Sequence, residues 1–495
     1  MRRKRICGAS CPPGSSPASG AIFCATTGSP MPEKRRSPWI CSAPALPELA
    51  GHWKVYWRYV RPALPDMEKK EFKTADNGEK AAPSFLTGVY LAVNAVSDAY
   101  IVVDGTDCVV RKAECVYASH DLFSTLLDCR GASRVLHTRA HAKEILAGDG
   151  SVMEAEVRAL RGRAGVVLVS SLPVMSMTGR DYKRLAGMLN GKTGARVVDV
   201  SGNSMDRDFL DGYSLAFEKI AEDMELKKGL GKPKKIALAG YFMDRTEGDH
   251  TGNLAELRRM LSLLGIELVC VWPDGGEYSE LRKIEGASVI VSLPYARAAA
   301  EILARKTGAA LLPLGIPLGF GGSAAWLRAV AEAAGVSGKV VSAVLGRELA
   351  SAHGLARLAV GGGLAGKRVC FTGDPYLGEA FCAFAGELGM IIAGVCLSCA
   401  GGQWAGAENI FSGRLVLRDF RVRTYSDAVM KLFSRGGCDL LVSNSIGRRS
   451  ELLSLPGLDL GFPSYRYHAL LPAPFAGFRG AVNLVGRLFN ALRSA

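Results

Sequence analysis

The stretch YIVVDGTDC, residues 100–108, runs an apolar, β-branched segment into an Asp-Gly turn and ends on Cys108. It reads as a buried strand that closes in a tight loop with a thiol at its tip. A thiol so placed can be a core group, a nucleophile or a metal ligand. Cys115 follows in CVVRKAEC and Cys129 lies further on, but their spacing matches no ferredoxin signature. Cys396 and Cys399 form a C-x-x-C pair with no second pair beside it and read as ordinary thiols at a strand end. Cys270, Cys370, Cys382 and Cys438 sit in or beside apolar segments and read as core. The stretch MDRTEGDHTGNL places Asp244, Arg245, Glu247, Asp249 and His250 in a loop after a strand, more ionisable chemistry than a connector needs. GGGLAGKR (361–368) imitates a phosphate-binding loop, yet Arg368 stands where magnesium needs a hydroxyl and the glycines precede the strand. No nucleotide site is expected. LGFGGS opens a helix without completing a dinucleotide fingerprint, and no H-E-x-x-H or G-x-S-x-G constellation is present. In FTGDPYLGEAF, Asp374 suits a helix N-cap and Pro375 a first helical turn.

The frame that must position these residues is a chain of 495 residues, long enough for several domains. Its net charge of +14 is uneven. Residues 1–66 hold ten Lys/Arg against Glu33, Glu48 and Asp66, so half of the excess lies there. No basic stripe with interleaved aromatics marks a nucleic-acid face, and no apolar run reaches the roughly 18 residues of a membrane span. Thirteen cysteines without a disulfide-framework spacing fit reduced thiols and a cytoplasmic protein. The Pro-, Ser- and Arg-rich start has no helix or strand period, so 1–80 is expected to be disordered or foreign to the fold, with Met67 resembling a natural start.

From residue 85 strand-like and helical patterns alternate. Strands are predicted at 100–104, 134–137, 165–171, 196–200, 235–241, 266–272, 288–292, 309–314, 368–373, 391–396, 415–418 and 439–443. Continuous apolar strands separated by helices mean α/β architecture with mostly parallel sheets covered on both faces. Gly/Lys-rich breaks near 227–235 and 360–368 divide the chain into three doubly wound, Rossmann-like domains: 81–230 with Cys108, 231–358, and 359–495 with the C-terminal helix. Ligands in such folds sit outside the carboxyl ends of strands, where Cys108 lies.

The segment CDLLVSNS followed by GLDLGFPSYRYHALLPAPFAGFRGAVNLVG resembles the end of nitrogenase component 1-type proteins, through Asp439, Asn444, Ser445, Gly461, Phe462, Pro463, Gly477, Phe478 and Gly480. That family includes nitrogenase molybdenum–iron subunits, their cofactor-assembly scaffold homologues and the subunits of dark-operative protochlorophyllide reductase. LAGKRVCFTGDPYLGEAFCAFAGELGM, GDHTGNLAELRRMLSLLGIEL, LVSSLPVMSMTGRDY and GVYLAVNAVSDAYIVVDGTDC resemble further family motifs in the family's order, from residue 84 to the end. The resemblance implies a nitrogenase component 1-like fold and an oxidoreductase. It puts Cys108 where the family places a thiolate ligand of an iron–sulfur cluster, of the [4Fe-4S] type, shared with a partner subunit. The family's other ligand positions fall near Pro83–Phe85 and Leu172, which are not cysteines, so Cys115 and Cys129 or a partner's thiols would complete the set. Asp104-Gly105-Thr106 replaces the family's His-Gly-Pro. The family's active-site metal cluster needs a loop cysteine and a histidine. Cys270 is in a strand and His468 stands one place off, beside Tyr467, so nitrogen fixation is not expected. The implied partners are a second component 1-like subunit, or a second copy, and a P-loop iron protein that hydrolyses ATP and passes electrons in. The implied function is an electron-accepting subunit that reduces an unsaturated substrate, a tetrapyrrole among the candidates. His250, Tyr467 and His468 would border the substrate cleft, with His250, His468 or Asp249 supplying protons. The alternative is a non-catalytic scaffold or binding subunit for a metallocofactor with a degenerate cluster site.

Overall fold

The computed structural model describes residues 82–493 apart from 141–149, 177, 191–193, 203, 400–414, 419–426, 428, 431–432, 435–436, 448–451 and 453. The expectation for 1–80 therefore lies outside the described residues.

Each apolar run identified above forms a strand, and the strands gather into three parallel sheets. The first has the order β2-β1-β3-β4, built from β1 (Ala99–Asp104), β2 (Val135–His137), β3 (Val166–Ser171) and β4 (Arg196–Asp199). The second has the order β6-β5-β7-β8, from β5 (Lys232–Ala239), β6 (Glu267–Trp272), β7 (Ala287–Ser292) and β8 (Ala310–Pro313). The third has the order β11-β10-β9-β12-β13, from β9 (Arg368–Gly373), β10 (Ile391–Leu397), β11 (Leu415–Arg418), β12 (Leu440–Ser443) and β13 (Gly457–Asp459). β13 was not anticipated: three residues are too few to show a period. Central strands β1, β3 and β12 are buried throughout, as sheets covered on both faces require. One buried apolar cluster runs continuously through all three sheets.

Helices cover the sheets: α1 (Phe85–Asn94), α2 (Cys108–Glu114), α3 (Ser151–Ala159), α4 (Tyr182–Leu189), α5 (Phe209–Asp223), α6 (Gly248–Ser262), α7 (Arg297–Thr307), α8 (Phe320–Ala333), α9 (Gly338–Ala359), α10 (Pro375–Glu387) and α11 (Gly477–Arg493). Helices α1 and α5 touch backbone to backbone. A Cβ added at Gly88 would lie 1.8 Å from the Phe209 carbonyl oxygen, and one at Gly212 2.0 Å from that of Phe85. Asp374 caps α10 by accepting from Leu377 N–H, with Pro375 in the first turn, as the sequence indicated. The N-terminus of α8, opened by LGFGGS, is occupied by the chain itself: Phe320, Gly321 and Gly322 N–H groups donate to the Glu387 carboxylate of α10. Among the described residues no helix is long and apolar enough to cross a membrane.

Two local readings need correction. Cys108 is not the tip of a loop but the first residue of α2, which continues through a wide turn, Cys115–His120. Its polar face (Arg111, Lys112, Glu114) and short apolar face (Val109, Ala113) gave too little periodicity to be read. Asp249 and His250 are not loop residues either, because α6 begins at Gly248 and puts them in its first turn.

Candidate functional site

The strand orders reverse beside β5 and β9, and ligands of doubly wound sheets bind outside such reversal points. Here the carboxyl ends of the second and third sheets face one another across a cavity of about 50 Å³. The second sheet supplies Tyr241, Asp244, Arg245 and Tyr295 after β5 and β7, and α6 supplies Asp249 and His250. The third sheet supplies Asp374 after β9 and Phe462 after β13, while Tyr467 precedes α11 and Arg487 lies within it. The chain leaves β5 through Gly240, whose φ is +80°. A Cβ there would lie 2.5 Å from the Leu293 carbonyl oxygen, so only glycine lets the loop turn against β7.

The polar groups are buried and mutually fixed. His250 Nε2 lies 2.5 Å from Asp244 Oδ1, and its Nδ1 lies 3.0 Å from the Tyr241 hydroxyl. Asn253 donates to the same hydroxyl at 3.1 Å, its own carbonyl oxygen being held by the Phe475 and Ala476 N–H groups. The other Asp244 oxygen lies 3.2 Å from His120 Nε2, and Ser464 N–H donates to His120 Nδ1 at 2.9 Å. That bond puts the His120 proton on Nε2, facing Asp244. Burial pushes the Asp244 carboxyl up, but His250 and His120 outweigh it and hold it well below the usual range. Burial pushes His250 down, and Asp244 with Asp249 more than reverses this, raising its pKa. Asp249 is raised by burial and lowered further by His250 and Arg245, for a net lowering. At the far side Tyr295 donates to Asp374 at 3.0 Å, and burial pushes the Asp374 carboxyl up to about 6.

A second tier of ion pairs carries this wall. Arg245 forks onto Asp249 and donates to the Tyr467 carbonyl oxygen at 2.9 Å. Glu247, fully buried, accepts from the N–H groups of Leu122 and Ala469 and lies 2.7 Å from His468 Nδ1. Asp121 accepts from Asn94 and from Thr246 N–H. The segment 244–249 thus ties the edge of the first sheet to the segment before α11.

Of the residues singled out in the sequence, His250, Asp249 and Tyr467 meet at the cavity. His468 faces Glu247 instead, with its side chain 23% exposed. Cys108, Cys115 and Cys129 lie elsewhere, exposed on the first-sheet side. Cys115 donates to the Arg111 carbonyl oxygen, and the Cys108 thiol sits 3.3 Å from the Thr106 hydroxyl. Cys270, Cys370, Cys382 and Cys438 are buried, as expected, and so are Cys396 and Cys399 at the end of β10. Sequence reasoning missed His120, Tyr241 and Arg487, which no motif marks and which only the tertiary fold brings to the site.

An iron–sulfur cluster held by this chain alone does not fit the donor set. Among the described residues no group of three or more Cys, His, Asp or Glu side chains could hold a metal ion. Leu172 packs its side chain onto Gly105, where a Cβ would lie 2.5 Å from Leu172 Cδ1.

Comparison with known proteins agrees with this architecture. The described fold superposes on a solved structure titled "Nitrogenase Cp1 at pH 6.5" with a TM-score of 0.72 at 18% identity, covering 87% of this chain and 96% of that one. In sequence it is 28% identical over 275 residues to the nitrogenase molybdenum-iron protein beta chain of Frankia alni, covering 49% of this chain and 50% of that protein. It is 28% identical over 181 residues to the light-independent protochlorophyllide reductase subunit N of Prochlorococcus marinus, covering 36% and 40%. The chain spans about half the length of the curated relatives it matches. Residues 84–493 match the family described as nitrogenase component 1 type oxidoreductase, and the chain belongs to that family.

Proposed function

We propose that this chain is the ligand-binding subunit of a component 1-like oxidoreductase complex. Its cavity between the second and third sheets receives the reacting end of a small molecule. A second component 1-like subunit, or a second copy, completes the complex, and a separate P-loop iron protein delivers electrons at the expense of ATP. The observation that carries this reading is the set of buried ion pairs beside the cavity, Asp244 with His250 and Arg245 with Asp249, while among the described residues no group of side chains around Cys108 could hold a metal ion. Buried charges are costly unless they are paired, so such a set is kept only where the fold is built around it. The cavity of about 50 Å³ admits a group of a few atoms, well short of the roughly 300 Å³ or more of a site that encloses a whole cofactor-sized ligand. A tetrapyrrole would therefore present one substituent here rather than its ring.

The electron-accepting reading has its own support: Cys108 is exposed in the first turn of α2, where a partner's thiolates can reach it. In that case the partner supplies the remaining ligands and the cluster is not this chain's own. The non-catalytic scaffold is the reading that remains when no redox group is present in either state. Iron and acid-labile sulfide per chain, with electron paramagnetic resonance after dithionite, separate these. The measurement is made anaerobically on the chain alone, on the chain co-purified with a component 1-like partner, and on Cys108→Ala. Iron absent alone, present in the complex and lost in the variant supports the shared cluster. Iron in the complex that survives the variant supports a ligand-binding role next to a redox partner. No iron in any state supports the scaffold.

A further inference from the structure

From the hydrogen bonds around Tyr241 we infer that its hydroxyl is the proton donor to whatever occupies the cavity, resupplied by His250 and Asp244. This rests on the cavity being the ligand site. Asn253 has its amide orientation fixed by the Phe475 and Ala476 N–H groups, so its nitrogen can only donate to Tyr241 Oη. His250 Nε2 must carry a proton, because it faces the Asp244 carboxylate at 2.5 Å. The contact between His250 Nδ1 and Tyr241 Oη, at 3.0 Å, then has two states. With His250 neutral, the tyrosine O–H donates to Nδ1. With His250 protonated, Nδ1–H donates to the tyrosine oxygen, which already accepts from Asn253. The phenolic proton is then released from His250 and turns to the cavity that Tyr241 lines. The pair Asp244 and Asp249 favours the second state by holding charge on His250.

Proton transfer in this state balances without any further reagent. The Tyr241 O–H bond breaks as a new bond to hydrogen forms on the ligand, while the His250 Nδ1 proton passes to the phenolic oxygen. One proton leaves the imidazolium for the ligand, no electron moves, and neutral His250 keeps its Nε2 proton on Asp244. Tyrosinate, which burial makes costly, never accumulates. The ligand class follows from the opposite wall. Arg487 lies 3.7 Å over the Tyr467 ring and donates to the Asp459 carbonyl oxygen at 2.7 Å, leaving guanidinium donors for an anionic acceptor such as a carboxylate or another oxyanion.

Formate is the probe, being a carboxylate small enough for the cavity, and its affinity is measured by calorimetry between pH 5.5 and 8. The charged and titratable groups around His250 are Asp244, Arg245 and Tyr241 from the loop after β5 and Asp249 from its own helix. Beyond them lie His120 across Asp244, Asp374 on the far wall and Arg487 on α11. The series is therefore made in an Asp374→Asn background, so that the carboxyl near 6 does not contribute. Wild-type Tyr241 should bind formate with proton uptake, more tightly as pH falls through the His250 titration. Tyr241→Phe should weaken binding about tenfold, the loss of one hydrogen bond to a charged acceptor. His250→Gln should abolish the pH dependence. Nitrogen chemical shifts of ¹⁵N-labelled histidine report whether His250 keeps its place in each variant. Equal affinity in Tyr241→Phe, or an unchanged pH profile in His250→Gln, overturns the donor assignment. Absence of formate binding in every variant overturns the cavity as a ligand site as well.

Discussion

Two places in the molecule offer chemistry, and they are built by opposite rules. At the carboxyl end of the first sheet, Cys108 is exposed, with its thiol 3.3 Å from the Thr106 hydroxyl two residues away. Between the second and third sheets, Asp244, His250, Tyr241 and Asn253 are buried, and each is fixed by at least one of the others. In low dielectric an unpaired member is expensive, so the set stands or falls together. Cys108 can stand without further metal ligands at no cost to the fold, whereas removing one member of the Asp244–His250 or Arg245–Asp249 pair leaves the other charge buried and unpaired. Substitutions that separate chemistry from stability at one place and couple them at the other test this contrast.

The largest effect is expected at Glu247, the fully buried carboxylate that joins the Leu122, Ala469 and His468 segments. Glu247→Ala removes these three contacts and the 3.6 Å ion pair with Arg245, and should cost about 3–5 kcal/mol in urea denaturation, the scale of breaking a buried charge pair. His468→Ala removes one partly exposed contact of the same group and should cost about 1 kcal/mol. Equal effects would mean that Glu247 is not the joint between the three elements. Next comes Gly248→Ala. A Cβ there would lie 2.1 Å from the Leu471 carbonyl oxygen, so the 469–473 segment must move. The expected cost is about 1–3 kcal/mol, accompanied by loss of formate binding, since Tyr467 and Phe475 bracket that segment.

Acidity sharpens the contrast further. Asp374 has its folded pKa raised to about 6 from 3.8, so the folded state holds its proton more tightly. Its contribution to stability is fully present below about pH 4 and is lost as pH rises through 6. The span is about 3 kcal/mol at roughly 1.4 kcal/mol per unit. Asp374→Asn should therefore flatten that slope and raise stability at pH 7 by about 2 kcal/mol. Asp244 and Asp249 have the opposite sign. Their depressed folded values give stability above the ordinary carboxylate range that is lost as pH falls through them. His250, raised, contributes fully below its unfolded value near 6.5 and loses that contribution as pH rises through the folded one. Urea midpoints from pH 3 to 9 for the wild type, Asp374→Asn and His250→Gln separate the three. An unchanged pH 4–6 slope in Asp374→Asn would remove Asp374 as its source.

The sequence made the frame legible because the frame rests on local pattern. Apolar β-branched runs such as VVLVSS and ASVIVS, alternating with helical patterns, fit strands covered on both faces in parallel sheets, and the helices between them carry their caps in plain view, as at Asp374-Pro375. The site was legible only in part. Asp249 and His250 stood out because ionisable residues crowd one strand end. His120 did not, because its role depends on a wide turn that brings it to Asp244 from 124 positions upstream in the chain. Tyr241 looked like the last residue of a predicted strand, 235–241, and Arg487 like one more charge on the C-terminal helix. Long-range pairing of buried groups leaves no periodic trace, whereas a family motif does. The motif drew attention to Cys108, and the residues at the family's other ligand positions, Pro83–Phe85 and Leu172, already indicated that its companions are missing.

Cys108 is where the smallest effect is expected. Its thiol is exposed, its hydrogen-bond partner Thr106 is two residues away, and the α2 N-terminus makes no use of it as a cap. Cys108→Ala should leave the urea midpoint within about 0.5 kcal/mol of wild type, as surface substitutions away from caps and buried networks do. The same exposure predicts chemistry that the buried thiols lack. Treatment of the folded protein with N-ethylmaleimide, followed by peptide mapping, should label Cys108, Cys115 and Cys129 well before Cys270, whose thiol burial pushes up to about 12. Addition of the proposed component 1-like partner then decides what the Cys108 end of the first sheet is for. Protection of Cys108 with continued labelling of Cys129 would place the interface over the α2 N-terminus. Unchanged labelling of all three would show that the complex forms elsewhere, and would leave the cavity as the feature that ties this chain's chemistry to its fold.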